Sequence, residues 1–250
     1  MARLVILGTA WVIPDKAHEN THLVVSGEHG AVLIDAGTNP LVSLERAGVD
    51  LDRLEALIVT HFHPDHVSGV PMLLLNLWLI GRQQPLSIHG LRVTLDKVQG
   101  MMGLFEWAEW PQFYPVTFDK VSAVKGALVL ETLDFRIVAA PTHHLVPSIA
   151  VRVTSKASGR SFAYSSDTSP CDALVDLARD ADILLHEASG ASAGHSNAAM
   201  AGSIARQAGV RHLVLVHYDV KSDPADLVAE AQSTFDGQVS VPQDLDEFKF

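Results

Sequence analysis

Three features of the sequence predict an α/β fold. Short apolar runs of strand length alternate with longer helical stretches along the chain. Several of those runs end in a histidine or an aspartate, as strand ends do where α/β proteins gather chemistry. The length of 250 residues, 48% hydrophobic and 19% charged, is globular composition with enough chain for a sizeable core. No linker, low-complexity segment or boundary divides it, so residues 1–250 are expected to form a single domain.

Residues 4–7 are an apolar strand closed by Gly8. Residues 22–25 and 31–34 flank the turn signal Gly27-Glu28-His29-Gly30 and read as a hairpin. Residues 40–47 form a short helix, and 56–59 a fully apolar strand that runs straight into a histidine cluster. Residues 67–80 are the strongest early helix, and 91–106 a second helical stretch interrupted by Gly100 and Gly103. Strands follow at 127–131, 135–139, 149–153 and 162–165, then a helix at 172–179 and a strand at 183–185. A helix at 198–208, a strand at 213–216 and a helix at 224–235 complete the chain. Both halves run strands first and helices later, which suggests a domain of two similar halves.

Composition narrows the function. With 18 Lys+Arg against 29 Asp+Glu the net charge is −11, and such a chain repels polyphosphate unless a local basic patch overrides the average. The single cysteine, Cys171, excludes an internal disulfide framework and a four-cysteine zinc site; it reads as a small buried hydrophobe. No targeting segment is apparent. The longest apolar stretch, 67–80, carries Ser68, Pro71 and Asn76 and falls short of the roughly 18–20 residues of a membrane span. The expectation is a cytoplasmic protein with no membrane partner. The 13 histidines exceed the 9 Phe and 3 Tyr together and point to a metal site.

The segment Thr60-His61-Phe62-His63-Pro64-Asp65-His66 lies between an apolar strand and an apolar helix. In extended chain His61 and His63 face the same side. Asp65 and His66 then fall in the turn that opens the helix. Three imidazoles and a carboxylate at this spacing suit Zn²⁺, with Mn²⁺ or Fe²⁺ as further candidates. Further ligands are available just after other predicted strands: His143 or His144, Asp167 and His217. One tetrahedral zinc does not need so many. The set fits two divalent ions about 3.5–4 Å apart, sharing Asp167 and a bridging hydroxide that serves as nucleophile. Asp35, after the strand at 31–34, is placed to hold a ligand loop.

The pattern His61-x-His63-x-Asp65-His66, then His144, Asp167 and His217, resembles the metallo-β-lactamase superfamily. The resemblance covers nearly the whole chain and implies a four-layer αββα sandwich with metals at one edge of two sheets. It implies that His61, His63 and His144 hold one ion, that Asp65, His66 and His217 hold the other, and that Asp167 bridges. His144-Leu145-Val146-Pro147 is similar to the His-x-x-Pro element of ribonuclease Z and favours His144 over His143. Three more stretches resemble that branch: Ser166-Asp167-Thr168-Ser169-Pro170, Leu185-His186-Glu187-Ala188-Ser189 and His195-Ser196-Asn197-Ala198-Ala199. By this likeness Glu187 orients His195, and His195 protonates the leaving oxygen, so the catalytic residues are Asp65, Glu187 and His195. The branch also implies a homodimer joined through helices just after the histidine cluster.

Two departures stand out. Ribonuclease Z proteins carry a tRNA-clamping arm between the third histidine motif and the bridging aspartate. Here 22 residues separate His144 from Asp167, and a hairpin fills them. After Asp35 the chain reads Ala36-Gly37-Thr38-Asn39-Pro40, where that branch has Gly-Glu-Gly-Thr-Gln. The expected activity is therefore hydrolysis of a small phosphodiester. A carboxylic-ester, lactone or sulfate-ester hydrolase on the same core is the alternative, and tRNA 3′ processing is less favoured. A metal held only for folding is disfavoured, because structural zinc sites are closed and mononuclear. Residues 72–80 are apolar nearly all round, which fits core packing or a subunit contact. Phe105, Trp107, Trp110, Phe113 and Tyr114 suit either a pocket wall or core.

Overall fold

Successive side chains of a strand point to opposite faces. In β1 (Arg3–Gly8), Leu4 and Ile6 enter one buried core while Val5 and Leu7 enter another. β2 (His22–Ser26) and β3 (Ala31–Ile34) divide likewise, and in β4 (Leu54–Val59) Ala56 and Ile58 oppose Leu57 and Val59. Strands buried on both faces lie between two other layers, so these runs are apolar without alternation.

The computed structural model describes residues 2–250 and resolves those layers as helix, sheet, sheet and helix. After β4 the first sheet adds β5 (Leu86–Leu91) and β6 (Val116–Val121). The second holds β7 (Ala127–Glu131), β8 (Phe135–Pro141), β9 (Ile149–Ser155), β10 (Ser161–Tyr164), β11 (Ile183–Ala188), β12 (His212–Tyr218) and β13 (Gln238–Ser240). The last strand, β14 (Glu247–Lys249), returns to pair antiparallel with β1. Both sheets follow one course: antiparallel pairing through β1–β3 and β7–β10, then parallel pairing onward to β6 and β13. The inner faces meet in a core where Ile6, Ile34 and Ile58 join Phe135, Phe162 and Val214. Four layers in the order αββα are the predicted architecture.

Helices α1 (Pro40–Arg46), α2 (Pro64–Val67), α3 (Val70–Leu79) and α4 (Arg92–Gly103) cover the first sheet. Helices α5 (Asp172–Ala178), α6 (Ala198–Ala208) and α7 (Pro224–Gln232) cover the second. α6 begins where the Asn197 side chain accepts from the Met200 N–H, and it ends on Gly209 in the left-handed conformation, φ 69°.

Some expected elements shift. The helix expected at 67–80 is two: the Gly69 N–H leaves the helical ladder for the Ala36 carbonyl at 3.0 Å, and Gly69 passes so close to Gly37 that a Cβ there would lie 2.0 Å from its carbonyl oxygen. The expected interruption of 91–106 is absent up to Gly103: Gly100 lies within α4, with open space around it. The last helix stops at Gln232, before the expected 235. β5, β6, β13 and β14 were not legible as strands; β6 is polar on one face, and β13 and β14 are three residues each.

One contact ties the two sheets at the end away from the histidine cluster. In the β7–β8 turn, the Asp134 carboxylate accepts from the backbone N–H groups of Glu28, His29 and Gly30 and from His29 Nδ1 at 3.0 Å. Gly27 is required there, since a Cβ would sit 2.3 Å from the Asp134 carboxyl carbon. The bond to Asp134 raises the His29 pKa above its ordinary value. A raised imidazole pKa stabilises the fold at pH below the unfolded value, and that contribution is lost as pH rises through the folded value. Asp134→Asn should return the His29 titration, followed by NMR, toward the ordinary range. It should also lower Tm more at pH 5.5 than at pH 8.5; an equal drop at both would show that the ion pair contributes nothing.

Candidate metal centre

The ends of β3, β4, β10 and β12 come together at the opposite edge of the sandwich. Three residues there hold left-handed backbone that non-glycine residues rarely adopt: Asp35 (φ 61°), Ser166 (φ 51°) and His217 (φ 51°). Such strain persists only where surrounding bonds over-determine it. Asp35 Oδ1 accepts from the Thr60 N–H, and Oδ2 accepts from Thr60 Oγ1 and His66 Nδ1, each at 2.8 Å. Ser166 Oγ donates to Thr60 Oγ1 at 2.9 Å, and the His217 N–H donates to the Thr9 carbonyl at 2.8 Å. The relay Ser166–Thr60–Asp35 joins the second sheet to the first directly beneath the histidines.

All seven predicted ligand residues converge there. His61 Nε2 and His144 Nε2 each lie 3.1 Å from His63 Nδ1. Asp167 Oδ2 lies 3.7 Å from His61 Nε2 and 3.8 Å from His144 Nε2. Its other oxygen, Oδ1, lies 3.5 Å from both His66 Nε2 and His217 Nε2. Asp65 Oδ2 completes that second group, 3.5 Å from His66 Nε2 and 3.2 Å from His217 Nε2. Two groups of potential metal-ligating side chains thus flank one carboxylate, with a different oxygen turned to each.

The donor chemistry fits divalent cations. The His144 Nδ1–H donates to the Gly194 carbonyl at 2.8 Å, which leaves Nε2 as a lone pair turned toward two other imidazoles. His66 Nδ1 is likewise committed to Asp35, and its Nε2, like Asp167 Oδ1, is buried without a hydrogen-bond partner among the described residues. Carboxylate–histidine pairs of this kind fix the tautomer of metal ligands. Burial, then the neighbouring His66, pushes His61 well below the usual imidazole range and so keeps it neutral. Burial opposes charge on Asp167, yet His217 and His66 draw its carboxyl well below the usual range. Neutral His61 and ionised Asp167 are in the forms that bind metal, whereas His66 and His217, whose burial opposes charge, are pushed up by Asp167 and would give up a proton to a cation.

Beside the ligands stands a second pair. Glu187, fully buried at the end of β11, accepts from His195 Nδ1 at 3.0 Å and from the Thr168 N–H at 2.9 Å on Oε1. Its Oε2 accepts from Ser189 Oγ at 2.6 Å. The bond to Glu187 raises the His195 pKa, and with Nδ1 so held, Nε2 is left for the cavity that His195 lines. That cavity, about 340 Å³, is bounded by ligand residues together with Trp11, Val12, Ser189 and Ser192.

His143, the other member of its pair, is exposed and stays outside the cluster. The aromatic segment lies elsewhere: Trp110 stacks on Trp78 at 5.3 Å, Tyr114 is buried, and all but Phe105 pack on the helix side of the first sheet. Trp11 and Ser189 are site residues that the sequence pattern did not single out. Ser189 ends the Leu185-His186-Glu187-Ala188-Ser189 stretch, whereas nothing in the local pattern marks Trp11.

Comparisons with known proteins agree with this architecture. The family model for the beta-lactamase superfamily domain matches residues 31–218. Ribonuclease Z of Methanothermobacter thermautotrophicus is 26% identical over 300 positions, covering 98% of this chain and 95% of the relative. Ribonuclease Z of Synechococcus sp. is 28% identical over 303 positions, covering 95% and 93%. These alignments are longer than the chain, so the relatives carry stretches it lacks. Among solved structures, the metallo-beta-lactamase fold protein YhfI from Bacillus subtilis superposes with a TM-score of 0.84 at 23% identity, covering 99% of this chain and 98% of that one. The short form of human tRNase Z gives 0.81 at 22% identity, with the same coverage.

Asp35→Asn should weaken metal binding about 10–100-fold, because it loosens the hold on His66 without removing a ligand. Competition with a chelating dye measures this; unchanged affinity would deny Asp35 that role.

Proposed function

This chain belongs to the beta-lactamase superfamily and is a metal-dependent hydrolase, and we propose that it hydrolyses a small phosphodiester with two divalent cations. The observation that carries this reading is Asp167, with one carboxylate oxygen set toward each ligand group. His61, His63 and His144 would hold one cation, Asp65, His66 and His217 the other, and Asp167 both. Zinc suits this set of nitrogen and oxygen donors best, and manganese or iron would be accepted by it. When bound, the pair supplies Lewis acidity at the phosphoryl oxygens and a water of lowered pKa.

The residues beside the ligands supply the proton. An alkoxide leaving group needs one, and His195, its Nδ1 held by Glu187 and its pKa raised by that bond, would deliver one from Nε2 at the cavity. Glu187 is itself fixed by Thr168 and Ser189, so the imidazole is aimed before substrate arrives. The pair supports a phosphodiester over the lactone, carboxylic-ester and sulfate-ester alternatives. A small substrate is supported over tRNA by the net charge of −11 and by the interval between His144 and Asp167, which holds only the β9–β10 hairpin. A cytoplasmic location suits the one cysteine, a buried free thiol. We also propose a homodimer through α3 and the end of α4, where Met72, Leu79, Ile80, Leu104 and Phe105 are exposed. Light scattering at micromolar concentration should give twice the chain mass; a monomer would refute it.

The metal-loaded protein should hydrolyse bis(p-nitrophenyl) phosphate, and Asp65→Ala should abolish turnover. No turnover at full metal occupancy would turn the search to lactones and sulfate esters. His195→Ala should cost about 10²–10⁴-fold with a poor alkoxide leaving group and less with nitrophenolate, which leaves unprotonated. Equal losses would exclude the acid role.

A further inference from the structure

The loop between β1 and β2 brings an apolar wall to a polar cavity. Trp11 and Val12 line it together with Pro64; the remaining lining residues are imidazoles, carboxylates and two serines. Trp11 Nε1 is itself buried and pairs with no hydrogen-bond acceptor among the described residues, so what the indole offers the cavity is its ring carbon surface. Val12 and Ile13, 54% and 57% exposed, continue the apolar surface outward.

The wall is preformed. The Trp11 N–H donates to the Tyr218 carbonyl at 3.1 Å, next to His217, and Asn20 Nδ2 donates to the Trp11 carbonyl at 2.7 Å. Ala10 forms bridges with both Asn20 and Tyr218. Gly8 leaves no space for a side chain, since a Cβ would lie 2.1 Å from the Asn20 carbonyl oxygen. Farther out, the Asp15 carboxylate accepts from the Ala17 and His18 N–H groups and closes the turn. The backbone that carries the indole is therefore tied to the strand that carries His217.

We propose that Trp11 is the specificity-determining residue of this site, and that its phosphodiester carries a planar aromatic ester group seated on the indole. The inference rests on the phosphodiester reading and adds the class of alcohol. An indole face holds an aromatic ring through dispersion and quadrupole contact in a way that a short alkyl group cannot match. A cavity of about 340 Å³ is at the small end of ligand sites, with room for one ring beside the phosphoryl group.

The test uses inert anions, so that binding is read apart from turnover. Phenylphosphonate and methylphosphonate offer the same headgroup to the metal-loaded protein, and the ratio of their affinities by calorimetry isolates the wall. The native protein should bind the phenyl compound at least about tenfold more tightly; Trp11→Ala should bring the ratio near one, and Trp11→Phe should keep most of it. Turnover of bis(p-nitrophenyl) phosphate should lose about tenfold in kcat/KM in Trp11→Ala, chiefly through KM. A ratio unchanged in Trp11→Ala, or cyclohexylphosphonate bound as tightly as phenylphosphonate, would overturn the inference. If the ratio depends on Trp11 but no phosphodiester is hydrolysed, the functional reading fails and Trp11 still selects aromatic anions. If diesters are hydrolysed and the ratio does not depend on Trp11, the reverse holds.

Discussion

A carboxylate removed from water must be compensated by opposite charge or strong hydrogen bonds, and Asp167 is compensated from both sheets at once. One oxygen sits between His61, carried after β4 of the first sheet, and His144, carried between β8 and β9 of the second. The other sits between His66, on α2 beside the first sheet, and His217, at the end of β12 in the second. The arrangement exists only while the sheets stay face to face with these ends level. The apolar core between the sheets and the Ser166–Thr60–Asp35 relay maintain that alignment. Metal chemistry here is a property of sandwich packing more than of any single loop.

The same frame explains which parts are rigid. Glu187 is on a strand, with donors engaged on both oxygens, and its partner His195 sits on a loop. That loop is itself tied down, since the Gly194 N–H donates to Ser169 Oγ and the Gly194 carbonyl holds His144. Gly194 thus links the His195 loop to His144, and displacement of the loop would disturb both. Trp11 is seated by similar means against Tyr218. The groups that would meet a substrate are fixed by backbone bonds to the strands that carry the ligands.

The ribonuclease Z relatives share the scaffold, and scaffolds do not settle substrates. Attached to it in this chain are a hairpin between His144 and Asp167, a net charge of −11, and an indole at the cavity. Each acts on access to the ligands, leaving the ligands themselves in place.

Much of this was legible in sequence. Strands buried on both faces show as unbroken apolar runs, which located β1 to β4 and β10 to β12, while β7 to β9, with one face partly open, were legible from apolar residues broken by a polar one; candidate ligand residues close in sequence, 61 to 66, carry their own geometry. β5 and β6 were lost because His89 and the polar residues of β6 break the apolar signal, and β13 and β14 because three residues make no pattern. Spacing named His144, Asp167 and His217 as candidates, but which oxygen of Asp167 meets which imidazole depends on how the sheets pack. Trp11 is the plainest case of what sequence withholds. Its neighbours at the cavity, Pro64 and His195, lie far along the chain, and only the closure of the two sheets brings them to one wall. Local residue order determined the elements and the kind of chemistry; long-range packing decided the shape of the space in which that chemistry takes place.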